Sequence, residues 1–250
     1  MKLWFRCVLC LLLVLGVASG RATAAEPGDG SSGLMLTEVR KTVETSPDGV
    51  KWSPAIKGAD LKVGAYLRTG PGSAAVVTYA DGSKLTLGEK TQVRLSKAEG
   101  GNTAWSLLVG KVRALVKPIA QGGSHTIETH NAVVGVKGTD FVVWAPIASI
   151  TVVLDLNGQV APTCKKSEQA ADLTPGTGAM CNFDGALETF QIRDIETESL
   201  VESRGGGTLY WTNWGDVMDS MASGIGNVKL AAAEVTMLEK ATLALGIEIR

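Results

Sequence analysis

The stretch Val76-Val77-Thr78-Tyr79-Ala80-Asp81-Gly82-Ser83-Lys84-Leu85-Thr86-Leu87 decides the fold. Apolar and polar residues alternate with period two on both sides of Asp81-Gly82. Asp-Gly suits a type I′ turn, because both central positions need positive φ. The segment reads as a β-hairpin. Working outward, the same grammar recurs from about residue 35 to residue 183, with turn signals every 8–14 residues, the spacing of an all-β domain. Leu36 to Val43 reads as a strand, Ser46-Pro47-Asp48-Gly49 turns it, and Val50-Lys51-Trp52 starts the return. Glu99-Gly100-Gly101-Asn102 separates Gln92–Leu95 from Ala104–Leu108, and Gly110-Lys111 breaks into Val112–Val116. Asn157-Gly158 marks a tight turn after Ile150–Leu156. Val, Thr and Ile at alternating positions favour pleated strands, where branched β-carbons pack well.

The ends read differently. Met1–Ala25 has the form of a secretory signal peptide: Lys2 and Arg6, an apolar run of about ten residues from Val8 to Val17, then Ala22-Thr23-Ala24 as an A-x-A cleavage pattern. The run is shorter than the roughly 18–20 apolar residues that cross a bilayer. Neither Cys7 nor Cys10 follows the small residue expected before a lipidated cysteine. Residues 26–34 (EPGDGSSGL) read as a flexible entry. From residue 184 the character changes: Glu188–Glu202 is charged, Gly205-Gly206-Gly207 is a loop, and beyond residue 215 the pattern is helical. Asp216 is a cap, Val217, Met218, Met221, Ile225 and Val228 fall on a helical period, and Val235, Leu238 and Leu245 continue an apolar stripe.

Composition limits the function. The chain of 250 residues has a net charge of -1, 45% hydrophobic residues, 30 glycines and two histidines. That is globular composition, which excludes wholesale disorder, and it lacks the basic face of a nucleic-acid binder. Gly135-Val136-Lys137-Gly138-Thr139 lacks the spacing of a phosphate loop and reads instead as a turn, Gly138 supplying the backbone conformation and Thr139 bonding to nearby main chain. His125 and His130 differ by an odd number on a strand, so they face opposite sides and read as surface residues. No serine sits in a nucleophile elbow, and nothing in the spacing joins Asp81, Asp140 and Asp155. We therefore expect no catalytic, cofactor or metal site.

Beyond the leader, Cys164 and Cys181 form an even pair. Export and the lack of a nearby histidine favour a disulfide over two free thiols or a metal pair. A loop of that size contributes about 3 kcal/mol in the chain-entropy picture. Trp211 and Trp214 either pin the C-terminal helix to the β core or contact a partner or a glycan, and Trp105 is a further glycan-stacking candidate.

Five short motifs stand in a shared order. They are Gly58, Leu61, Val63-Gly64-Ala65, Leu67 and Thr69-Gly70; Asp81-Gly82-Ser83; Val109-Gly110-Lys111-Val112; Val136-Lys137-Gly138-Thr139-Asp140-Phe141-Val142-Val143; and Asn157-Gly158-Gln159-Val160, with Leu173-Thr174-Pro175-Gly176 as a closing turn. In this order they resemble the FecR domain family, over roughly residues 55–180. The resemblance implies an extracytoplasmic β domain of short strands in a β-helix or roll-like sheet, with Gly138, Thr139 and Phe141 at its structural core. The best-known members sense an outer-membrane transporter through protein contacts and control a sigma factor across the inner membrane. This chain shows no cytoplasmic anti-sigma region and no transmembrane anchor after signal cleavage. The expectation is a periplasmic or secreted, non-enzymatic module that binds an envelope protein, with cell-wall glycan binding as the alternative and no role in nucleic-acid binding. Phe141 and Val143 are expected to be buried.

Overall fold

The computed structural model describes residues 31–118, 123–136 and 138–191. These residues hold strands and no helix. In chain order the strands are β1 (Ser31–Arg40), β2 (Val43–Ser46), β3 (Ser53–Pro54), β4 (Asp60–Lys62), β5 (Tyr66–Thr69), β6 (Ala74–Tyr79), β7 (Lys84–Leu87), β8 (Gln92–Glu99), β9 (Asn102–Leu115), β10 (Ser124–Glu128), β11 (Ala132–Val136), β12 (Asp140–Ile147), β13 (Ile150–Asn157), β14 (Val160–Cys164), β15 (Thr177–Cys181) and β16 (Leu187–Gln191). The segments expected to be a signal peptide and a C-terminal helix, and with them Trp211 and Trp214, lie outside the described residues.

All sixteen strands join one hydrogen-bonded sheet that folds over through β9. One arm runs β16-β15-β13-β12-β9-β7-β6-β1-β4. The other joins β3, β2, β5 and β8 to the first half of β9, and β10, β11 and β14 to its far side. Residues Asn102 to Val109 pair with β8, whereas Gly110 to Leu115 pair with β12. The bend falls at Gly110, whose φ is 96°. A β-carbon there would sit 2.5 Å from the Thr91 α-carbon, so the close approach needs glycine. The Thr91 hydroxyl fixes the corner, donating to the Lys111 carbonyl at 3.1 Å and accepting the Lys111 amide at 3.0 Å. What reads in sequence as a break at Gly110-Lys111 is one bent strand shared by both arms.

The inner faces of the two arms meet in a single core. Leu36, Val77, Leu85, Phe141 and Val153 come from one arm, and Leu67, Val93, Leu95, Trp105 and Val134 from the other. A hydrogen bond crosses it from the Trp105 indole N–H to the Tyr79 hydroxyl at 2.8 Å. Pairing is antiparallel except between β9 and β10. Short turns can join only antiparallel neighbours, so the sheet is a folded roll and does not wind as a parallel β-helix.

The Asp81-Gly82 hairpin forms where expected but without the type I′ turn. The Gly82 amide donates to the Tyr79 carbonyl at 2.9 Å, and Gly82 but not Asp81 takes a positive φ (83°). The loop is the three residues Ala80-Asp81-Gly82, so Val77 faces Leu85 where a two-residue turn would have set it against Thr86. Other boundaries move. β1 begins at Ser31, inside the segment read as a flexible entry, and β15 and β16 carry strand to Gln191, past residue 183. The Leu36–Val43 strand divides at Lys41, which takes φ 55°. Val50-Lys51-Trp52 is not a strand: the Asp48 carboxylate accepts the amides of Val50 (2.8 Å) and Lys51 (2.9 Å) and keeps them in the turn. Those same bonds hold the Asp48 carboxyl below its ordinary range. Cys164 and Cys181 form a disulfide between β14 and β15, which belong to different arms.

Candidate functional site

Gly138 and Thr139 form the crossing from β11 to β12. Gly138 takes φ 76°, with a β-carbon position 2.9 Å from the Pro118 α-carbon. The Thr139 hydroxyl donates to the Gln159 carbonyl at 2.8 Å, and the Thr139 carbonyl accepts the Val116 amide at 2.8 Å. Two turns from distant parts of the chain are tied together there. Phe141 and Val143, next along β12, are buried in the core. These residues hold the sheet and offer nothing to a ligand.

The ionisable residues divide by environment. Arg113 on β9 grips Asp140 with two bonds, Nε to Oδ1 at 2.8 Å and Nη2 to Oδ2 at 2.5 Å, both side chains buried. Asp155, on β13 opposite Phe141, is fully buried and neither carboxylate oxygen has a hydrogen-bond partner. Burial pushes its carboxyl up to about 6; the nearby Asn157 amide, which does not reach hydrogen-bond geometry, offsets this only in part, and the charge of Asp140 adds to it. The folded chain therefore holds this proton more tightly than the unfolded chain, whose carboxyl keeps its ordinary 3.8. Stability should fall as pH rises from about 4 to about 6 and stay low above that. Asp155→Asn is expected to flatten this slope and to raise stability above pH 6 by up to about 3 kcal/mol. Urea unfolding at pH 4.5 and 7.5 checks it, and a variant less stable than the parent at pH 7.5 would contradict it.

Two sequence expectations fail here. His125 is buried rather than a surface residue; it sits edge-on to the Tyr79 ring at 4.9 Å, and burial lowers its pKa. Trp105 is buried in the core, so its ring is not available to stack on a sugar.

The reading from sequence did not single out a cluster on the outer face of the second arm. Leu67 on β5 and Val93 and Leu95 on β8 point inward, so Tyr66, Arg68 and Arg94 point out. Register sets Tyr66 beside Arg94 and Arg68 beside Glu44 of β2. The Arg68 guanidinium lies 3.9 Å over the Trp52 ring and bonds Glu44 Oε2 through Nε at 2.7 Å. Trp52 meets the Tyr66 ring edge-on at 6.4 Å, and Arg94 lies 5.5 Å from that ring. Aromatic and arginine side chains held rigid at a surface are the groups that carry binding energy at protein interfaces. A hollow of about 400 Å³ at the β15–β16 end is lined by Asp172, Leu173, Thr174, Thr177, Thr189 and Phe190, a set with no nucleophile paired to a base. Among the described residues no group of three or more His, Cys, Asp or Glu is placed to hold a metal ion.

Comparison with known proteins bears on this arrangement. Residues 65–161 match the FecR protein family. The FecR match takes in the shared strand β9, the Gly138-Thr139 crossing and the Asn157-Gly158 turn, together with Tyr66, Arg68 and Arg94 of the outward cluster. The Gly58–Gly64 opening, the Leu173–Gly176 turn, Glu44 and Trp52 lie outside it. Two crystal structures of a candidate anti-sigma factor from Parabacteroides distasonis ATCC 8503 are similar to the chain. Each is 20% identical, with a TM-score of 0.44 over 50% of this chain and 59% of the other. The chain thus spans less than two thirds of those proteins. No curated protein matches it.

Proposed function

We propose that the chain is a non-enzymatic recognition module of the cell envelope, exported by its leader, that binds a protein partner and serves envelope signalling or regulation. The FecR match supports the setting. The observation that carries the binding role is the outward cluster of Trp52, Tyr66, Arg68 and Arg94 on a rigid sheet. Arg68 occupies a face of Trp52. A sugar ring would need such a face, so the cluster favours a protein over cell-wall glycan.

Site-specific crosslinking of the full chain tests this. A benzophenone amino acid at Trp52 should capture a defined envelope protein in living cells, while the same group at exposed Lys57 should not. Arg68→Ala with Arg94→Ala should lower that yield by about tenfold or more, the loss of one strong contact. Equal labelling at both positions, or adducts of glycan alone, would overturn the reading.

A further inference from the structure

One face of the first arm has no strand layer of its own. The register puts Val142 beside Leu154 and Trp144 beside Val152, and Val152 beside Met180. These side chains alternate with Phe141, Val143, Val153 and Ala179, which point into the core, so they point the other way. Yet Val142, Val152, Leu154 and Met180 are 0% exposed and Trp144 is 2% exposed. The Phe190 ring lies over Gly178 beside Leu154 and covers one edge of the face. The indole N–H of Trp144 ends there, buried and without an acceptor. Lys111, at the border, is buried enough to hold its ammonium down to about 8, although Glu89 lies 4.0 Å away. Both arms spend their inner faces on each other, so among the described residues no strand supplies this cover.

We propose that residues 217–245 of the same chain lie on this face as an amphipathic helical cover. β16 ends at Gln191 on the edge of this arm, so the following chain starts beside the face. Its apolar positions, Val217, Met221, Ile225 and Val228, then Val235, Leu238 and Leu245, recur at helical spacing. The five strands from β9 to β16 span roughly 20 Å, at about 4.8 Å per strand. A helix from 217 to 228 is about 18 Å long, which matches that width, and Gly224 and Gly226 or the stretch after Val228 let the chain return for a second pass. This inference does not depend on the partner-binding role of the opposite arm.

Methionine oxidation in the full chain tests it. Met35 is 44% exposed and serves as the internal reference for Met180. Peroxide should oxidise Met180 at least about tenfold more slowly than Met35, since susceptibility follows exposure. Met221→Glu with Ile225→Glu and Leu238→Glu should bring Met180 close to the Met35 rate; continued protection of Met180 would overturn the proposal. A benzophenone amino acid at Glu188, which pairs with Met180 on this face, gives a second readout with the native stripe intact. Crosslinks within one chain to residues 217–245 support the cover. Crosslinks to residues 1–30, to a second copy or to another protein overturn it.

Discussion

Replacing Phe141 by alanine is expected to lower the unfolding free energy by about 3–5 kcal/mol, read as a lower urea midpoint at unchanged slope. The ring is 1% exposed. Its neighbours in the sheet are Ala114 on β9 and Asp155 on β13. Neither fills the space: alanine is short, and a carboxylate gains nothing from moving into an apolar void. The backbone on the N-terminal side is fixed by Pro118 against Gly138, by Gln159 on Thr139 and by Arg113 on Asp140. The strand therefore has little freedom to close the cavity, which places the cost at the upper end of the large-to-small range. The measurement belongs at pH 5, where Asp155 carries its proton. Above pH 6, water entering the cavity would solvate the ionised carboxylate and reduce the apparent loss. A loss below about 1.5 kcal/mol at pH 5 would show that the core collapses around this position.

Phe141 was legible as a core residue because alternation along one strand needs only local information. The place of the Asp81-Gly82 hairpin was legible for the same reason, but its turn type was not: Ala80 joins the loop and only Gly82 takes the left-handed conformation, which moves the register by one residue. The bent strand β9 was not read, although its sequence carries a signal for it. Trp105 and Leu107 are buried at odd positions, Leu108 and Val109 are exposed, and Val112 and Ala114 are buried at even positions. That change of phase is what a strand shows when it leaves one sheet arm for another, and by sequence alone Gly110 at the switch reads as an interruption. The parallel pairing of β9 with β10 has no local signature, because it depends on which distant strand arrives beside Thr103 and Trp105.

The outward cluster was hidden for a related reason. Trp52 comes from a turn, Glu44 from β2, Tyr66 and Arg68 from β5 and Arg94 from β8; only the register brings them together. A sequence shows that Arg68 and Arg94 face away from buried neighbours, but not that they face the same aromatic pair. His125 failed differently. Histidine is polar enough to read as a surface residue, yet its ring packs well against an aromatic edge, and Tyr79 provides that edge across the core. The two arms thus carry different work. One outer face displays charge and aromatic rings, and the other is apolar and buried.

Arg113→Met is expected to cost about as much as losing the Phe141 ring, some 3–5 kcal/mol, for an electrostatic reason. Methionine keeps the length and apolar stem of arginine, so packing is largely retained. What disappears is the two-bond grip on a carboxylate that is 4% exposed. Asp140 must then remain charged without that partner or take up a proton at neutral pH, and both are costly in a medium that solvates ions poorly. Asp140→Asn should also destabilise, because the buried guanidinium loses this anion. The double variant Arg113→Met with Asp140→Leu removes both charges at once. It is expected to lie near the parent or above it, since two buried ions give up more hydration than their attraction returns unless the geometry is favourable throughout. The sign of the coupling in this cycle is the decisive quantity. Near-additive losses would mean that the pair acts through separate neighbours. Strong recovery in the double variant would mean that the pair is kept for position rather than for stability. Position is what the structure offers as its use: the grip joins residues 27 apart in sequence and fixes the start of β12 against the end of β9, beside the Gly138-Thr139 crossing.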